Sequence, residues 1–239
     1  MMKKVAFVLA ISSAAAAIAA TDPGDKSFPT PLEINLASPL QLLWGERDVY
    51  GLRLNLIYGN SYDIYGADLG LVGVNTGDFA GIGVNAFNWV EGGAYGLQAA
   101  GVFSYVSQNM SGVQLAGVSQ YTQGHTSGVQ LAPLNFNGGF AGLQLGAVNW
   151  NFGSVEYAWM AGVANKSADF DGFQLGALNL ADSFSGAQVG VFNVSLGASK
   201  GAQLGLINCC DQLAGVQLGL VNIISQGRMP ILPLFNTSF

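Results

Sequence analysis

The sequence predicts an all-β fold: an antiparallel up-and-down meander of about 12–14 strands closed as a transmembrane-type β-barrel. Three observations predict it. A unit of 14 to 16 residues recurs from residue 51 onward, with polar and apolar positions alternating at the period of a strand. Short Gly-, Asn- and Asp-rich pieces separate the copies, as tight hairpins require. Only 9% of the 239 residues are Lys, Arg, Asp or Glu, and 34 are Gly, where soluble domains carry about 25% charged residues. A chain that is 50% apolar with so few charges is not disordered. Its net charge of −6 and eight scattered cations leave no basic stripe for nucleic acid.

The elements follow in chain order. Met1-Met2-Lys3-Lys4 is a basic start, Val5 to Ile11 an apolar run, and Ala17-Ile18-Ala19 a small-residue cleavage pattern. Residues 1–20 therefore read as a secretory signal peptide and residues 21–30 as a leader segment. Residues 31–239 form a single repeat-built β domain. Loss of the first twenty residues leaves six cations against 14 acidic residues. No later run of 18 apolar residues is free of Gly and polar interruptions, so no membrane-spanning helix is expected. Export would permit disulfides, but Cys209 and Cys210 are adjacent and are expected on opposite faces of a strand as small hydrophobes.

The clearest copies begin Gly112-Val-Gln-Leu-Ala-Gly-Val, Gly142-Leu-Gln-Leu-Gly-Ala-Val-Asn, Gly172-Phe-Gln-Leu-Gly-Ala-Leu-Asn, Gly201-Ala-Gln-Leu-Gly-Leu-Ile-Asn and Gly215-Val-Gln-Leu-Gly-Leu-Val-Asn. Weaker copies start at Gly51, Gly66, Gly81, Gly96 and near Tyr157. Read as one strand each, they have about 10 to 12 residues. A parallel β-solenoid, with Gln and Asn ladders along its stack, is the rival fold. The hairpin-like turns and the length of the strand segments favour the meander.

In the first copy Tyr50, Leu52, Leu54, Leu56 and Tyr58 share one face, an apolar stripe ending in tyrosines. Such a stripe suits a lipid-facing strand, although a soluble sandwich strand would carry the same pattern. The opposite face places Gln98, Gln114, Gln130, Gln144, Gln174, Gln188, Gln203 and Gln217 at one height as a candidate lumen lining. Arg53 and Asp68 hold the equivalent positions in the first two copies, where they could pair across adjacent strands. The chain ends at Phe239, with Phe235 and Thr237 alternating before it. A terminal aromatic on an amphipathic last strand is similar to the assembly signal of bacterial outer-membrane barrels.

Asp48-Val-Tyr-Gly-Leu-Arg-Leu-Asn-Leu-Ile-Tyr-Gly59, the Gly-x-Gln-Leu-Gly-x-x-Asn copies and Leu232-Pro-Leu-Phe-Asn236 resemble a family of bacterial exported surface-repeat proteins. The resemblance covers roughly residues 29–239. It implies export, a place at the outer membrane or cell surface, and no enzymatic activity. Gly83 and Trp159 depart from the motif at the Gln position, and Pro133 at the second Gly.

Catalytic chemistry is not legible. His125 is the single histidine and lies in a turn, so neither a catalytic triad nor a multi-histidine metal site can be assembled. The carboxylates Asp78, Glu91, Asp169, Asp171, Asp182 and Asp211 fall in turns, and the glycines of the repeat lie in strands, which gives no phosphate-binding loop. No cofactor and no metal are expected. The leading functional expectation is a non-enzymatic outer-membrane β-barrel, a small pore or structural component, whose partners are outer-membrane lipid and the barrel-assembly machinery. The alternative is an exported β-solenoid or sandwich serving as a surface adhesion or interaction module.

Overall fold

The computed structural model describes residues 30–37, 40–41 and 48–238. The expected signal peptide, nearly all of the leader segment and the terminal Phe239 lie outside the described residues.

The chain forms β1 (Thr30–Ala37), β2 (Leu40–Gln41), β3 (Val49–Ser61), β4 (Ile64–Asn75), β5 (Phe79–Val90), β6 (Ala94–Val106) and β7 (Met110–Ala116). It continues with β8 (Ser119–Leu131), β9 (Leu134–Leu145), β10 (Val148–Asn151), β11 (Val155–Ala161), β12 (Ala164–Leu204), β13 (Ile207–Ile224) and β14 (Ile231–Ser238). Successive copies pair in parallel at the same repeat position: Gly51 lies beside Gly66, Gly66 beside Gly81, and Gly201 beside Gly215. The architecture is a parallel β-solenoid of about 12 turns. Among the described residues antiparallel pairing occurs only at the two ends, between β1 and β2 and between β13 and β14.

The expected antiparallel meander and transmembrane barrel are therefore wrong. Among the described residues the sheet path runs from β2 at one end to β14 at the other without a pairing that joins them, so it does not close. The porin-like reading falls with the barrel, and the repeat reading stands. The physical reason lies within each copy. What reads as one strand is two, because the chain bends after the second Gly and returns along the opposite wall of the same coil. In the coil of Gly201 the outward Leu204 and Leu206 are followed by the half-buried Ile207, and only then does Asn208 turn inward. The polar pieces between copies are the opposite corner of the coil, not hairpins.

The first Gly of each copy is required by this stacking. Gly142 has φ +122°, and a Cβ there would sit 2.1 Å from the Gly128 carbonyl oxygen. The first coil has Pro31 beside Gly51, and a later coil without the Gly solves the problem by insertion. Tyr157 and Ala158 together stand opposite Gly142, with Tyr157 at φ 50° and almost wholly exposed. That bulge shifts the pattern by one residue, so Met160, not Trp159, takes the Gln position beside Gln144 and Gln174.

Candidate functional site

The coil interior is narrow and full. Two residues before each repeat Gly, a mostly apolar column descends the stack: Val49, Ile64, Phe79, Ala94 and Met110 are all buried, and Phe140, Val155, Phe170, Phe184 and Leu213 continue it, with the buried hydroxyl residues Thr126 and Ser199 at two rungs. Two residues after that Gly come the glutamines. Gln98, Gln114, Gln130, Gln144, Gln174, Gln188, Gln203 and Gln217 are all buried. Gln144 Nε2 donates to Gln130 Oε1 at 3.0 Å, Gln188 to Gln174 at 2.8 Å, Gln203 to Gln188 at 2.8 Å, and Gln217 to Gln203 at 2.7 Å. The residues expected to line a lumen thus form a ladder along the stack, and there is no lumen for them to line.

A second ladder, expected from the sequence only under the rival solenoid fold, is made of asparagines. Asn135, Asn149, Asn165, Asn179, Asn193, Asn208 and Asn222 are fully buried. Each donates one amide hydrogen to the next at 2.7–2.8 Å. The second hydrogen goes to a backbone carbonyl: Asn165 to Leu175, Asn193 to Leu204, Asn208 to Leu218. With both hydrogens and the carbonyl engaged, an amide costs little to bury. Asn follows Gln by five residues in every clear copy but that of Gly112, where Ser119 stands five residues after Gln114. In a straight strand an odd spacing sends the two to opposite faces; both point inward only because a corner lies between them.

The first coils replace amides by charge. Glu33, Arg53 and Asp68 occupy consecutive rungs and are buried. Arg53 meets Asp68 through two parallel hydrogen bonds, Nε to Oδ1 and Nη2 to Oδ2, both 2.8 Å, and Nη1 donates to the Val74 carbonyl at 2.7 Å. Asn55 and Asn85 donate the remaining hydrogen bonds to Asp68 at 2.7 and 2.8 Å. Glu33, which the sequence reading did not single out, accepts from Asn35 and Ser61. Burial raises its carboxyl above the ordinary value despite the nearby Arg53 guanidinium. Two buried carboxylates share one cation here, and Glu33 is the less well compensated of the two.

Cys209 and Cys210 point to opposite sides, Cys209 half-buried and Cys210 in the interior, and both are free thiols. Burial raises both thiols, so neither is an activated nucleophile. His125 sits at the polar corner, where its backbone N–H donates to Asn109 Oδ1 at 2.9 Å. Among the described residues no group of three or more His, Cys, Asp or Glu could hold a metal ion.

The outer surface is the remaining candidate. One residue after the repeat Gly, an outward column reads Leu52, Ala67, Ile82, Leu97, Val113, Val129, Leu143, Trp159 and Phe173. Two residues further on, Leu54, Leu69, Val84, Ala99, Leu115, Leu131, Leu145, Ala161 and Leu175 run beside it. Neither column contains a polar side chain. The next corner is apolar as well, with Leu56, Ile57, Leu71, Val118, Val163, Leu206 and Leu220 exposed. Polar and acidic side chains gather at the opposite corner. There Asp63 Oδ1 accepts from the Asp78 N–H and Asp78 Oδ1 from the Gly93 N–H, each at 2.7 Å. In cross-section the solenoid is amphipathic.

No protein-family model, curated protein or solved structure matches this chain.

Proposed function

We propose that this chain is an exported, non-enzymatic β-solenoid whose outer surface works as an adhesion or interaction module. The observation that carries this reading is the pair of outward columns, eighteen residues over nine coils without one polar side chain. Soluble monomers rarely expose continuous apolar surface of that extent without a binding role. The interior supports the same reading. Its amides are spent on one another and its thiols are raised, which leaves regular surface as the property that repetition delivers.

Substituting Leu69, Leu131 and Leu175 together by Ser tests this. All three are exposed, so the ladders beneath them stay intact. Adsorption of the folded chain to an apolar matrix is expected to fall sharply while the far-ultraviolet dichroism of the β-fold is unchanged. Adsorption equal to that of the wild type would refute the reading.

A further inference from the structure

We infer that the surface these apolar columns engage is a lipid bilayer, on which the solenoid lies along its length with its acidic corner in water. The inference rests on the interaction-module reading and names its partner. Three features select lipid over a second copy of the chain.

The first is extent. Nine coils at about 4.8 Å each, with two columns about 6.6 Å apart, give a strip of roughly 300 Å2 on one face alone. The apolar surface then continues around the corner of Leu56, Val118 and Leu206 onto the second wall, where Val72, Phe87 and Phe103 and then, past Ser119, Leu134 and Val148 form another column. A stable dimer needs about 800 Å2 per partner on one complementary patch. A flat-faced partner would cover one wall and leave the corner and the other wall wet, whereas a fluid covers all three.

The second is the placement of aromatic residues. The columns that flank the polar corner, one on each side, carry most of the Tyr and Trp of the described residues, while Tyr58 and Trp159 stand in apolar columns. On one side Trp89, Tyr105, Tyr121, Phe136 and Trp150 lie on successive coils. Trp89 and Tyr105 stack at 4.0 Å, Tyr105 and Tyr121 at 5.8 Å. Lys166 extends this column, its Nζ 5.7 Å from the Trp150 ring. On the other side Tyr50 and Tyr65 stack at 4.8 Å, with Tyr95 two coils further on, before the column passes to Ser111, Ser127, Ala141 and Glu156. Aromatic rings with a polar edge collect where hydrocarbon meets headgroup. Trp159, by contrast, stands in a fully apolar column and is 66% exposed.

The third is charge. The polar corner carries Asp63, Asp78, Glu91, Asp169, Asp182 and Asp211, so attraction to anionic headgroups is not available. Binding must come from apolar burial, as for an amphipathic helix lying in the interface.

The test uses the full chain with Trp44 replaced by Phe and only one of Trp89, Trp150 or Trp159 retained. Each variant is mixed with phosphatidylcholine vesicles carrying bromine either deep or shallow in the acyl chains. Co-flotation is expected, with Trp159 quenched at least about twofold more by deep than by shallow bromine and Trp89 and Trp150 showing the reverse order. Adding phosphatidylglycerol is expected to weaken binding at low salt. Equal quenching of all three tryptophans at every depth would overturn the orientation. Absence of vesicle binding with retained adsorption to an apolar matrix would overturn the lipid inference and leave the module reading standing. Loss of both would overturn both. A discrete dimer that ignores vesicles would show that a second copy covers the face instead.

Discussion

Asn179→Ala removes one link from the middle of the asparagine ladder. Asn179 Nδ2 donates to Asn193 Oδ1 at 2.8 Å and to the Val189 carbonyl at 2.9 Å, and its own Oδ1 accepts from Asn165 Nδ2 at 2.8 Å. Alanine strands one hydrogen of Asn165 and the carbonyl oxygen of Asn193, both in fully buried side chains. Each stranded group costs about 1–3 kcal/mol, so the pair costs about 4 kcal/mol. In a repeat stack, where each coil leans on its neighbours, that loss is local. Hydrogen exchange read by mass spectrometry is the assay. Amides in the coils from Asn165 to Asn193 are expected to exchange roughly a thousandfold faster, at about 1.4 kcal/mol per tenfold, while those of β3 and β4 do not change. Leu196→Ala is the control: its side chain is 67% exposed at a corner, and its effect should stay within about 0.5 kcal/mol. A loss below about 1 kcal/mol for Asn179→Ala, equal to the control, would refute the ladder's role.

Other predictions concern the first coils and the glycine column. Glu33 is raised in the folded state by burial, with Arg53 and Asp68 as the charged groups facing it. The stability it contributes is therefore complete below the unfolded value of 4.5 and is lost as pH rises through the folded value. Glu33→Gln should resist urea better than the wild type at pH 7 and match it at pH 4; equal midpoints at pH 7 would contradict this. Arg53→Met leaves Asp68 buried without its cation and should cost about 3–5 kcal/mol, whereas Arg53→Met combined with Asp68→Leu should recover much of that loss in a denaturant double-mutant cycle. Gly142→Ala forces an ordinary side chain into φ +122° against the Gly128 carbonyl. It should cost about 2 kcal/mol of stability or more, read as a lower melting temperature, while Ala158→Gly, in the coil with the inserted residue, should not.

Much of this structure is legible in the repeat, and the part that is not has a definite cause. Alternation along Val49 to Asn55 is real: Val49, Arg53 and Asn55 point in, and Tyr50 is exposed. The height shared by the glutamines is real too, and so is the approach of Arg53 to Asp68. What misleads is counting by twos past the second Gly. Leu56 and Ile57 are both exposed, so the parity changes there. The odd spacing from Gln203 to Asn208 carries the same information and recurs in every clear copy but that of Gly112. A straight strand turns one of the two outward, and only a corner puts both inside. Glu33 stayed hidden because it precedes the recognisable copies; its partners, Asn35 and Ser61, become visible only once β1 is laid beside β3.

Distances between spin labels along the polar corner test the stacked architecture most directly. Ser107, Asp182 and Ser225 each follow the last inward residue of their coils, Val106, Ala181 and Ile224. Ser107 and Ser225 stand eight coils apart, a separation of about 38 Å at about 4.8 Å per coil. Labels at Ser107–Asp182 and Ser107–Ser225 should show separations that grow in proportion to the number of coils between them. Separations that rise and then fall, as around the rim of a closed sheet, would contradict the solenoid and everything built on its outer face.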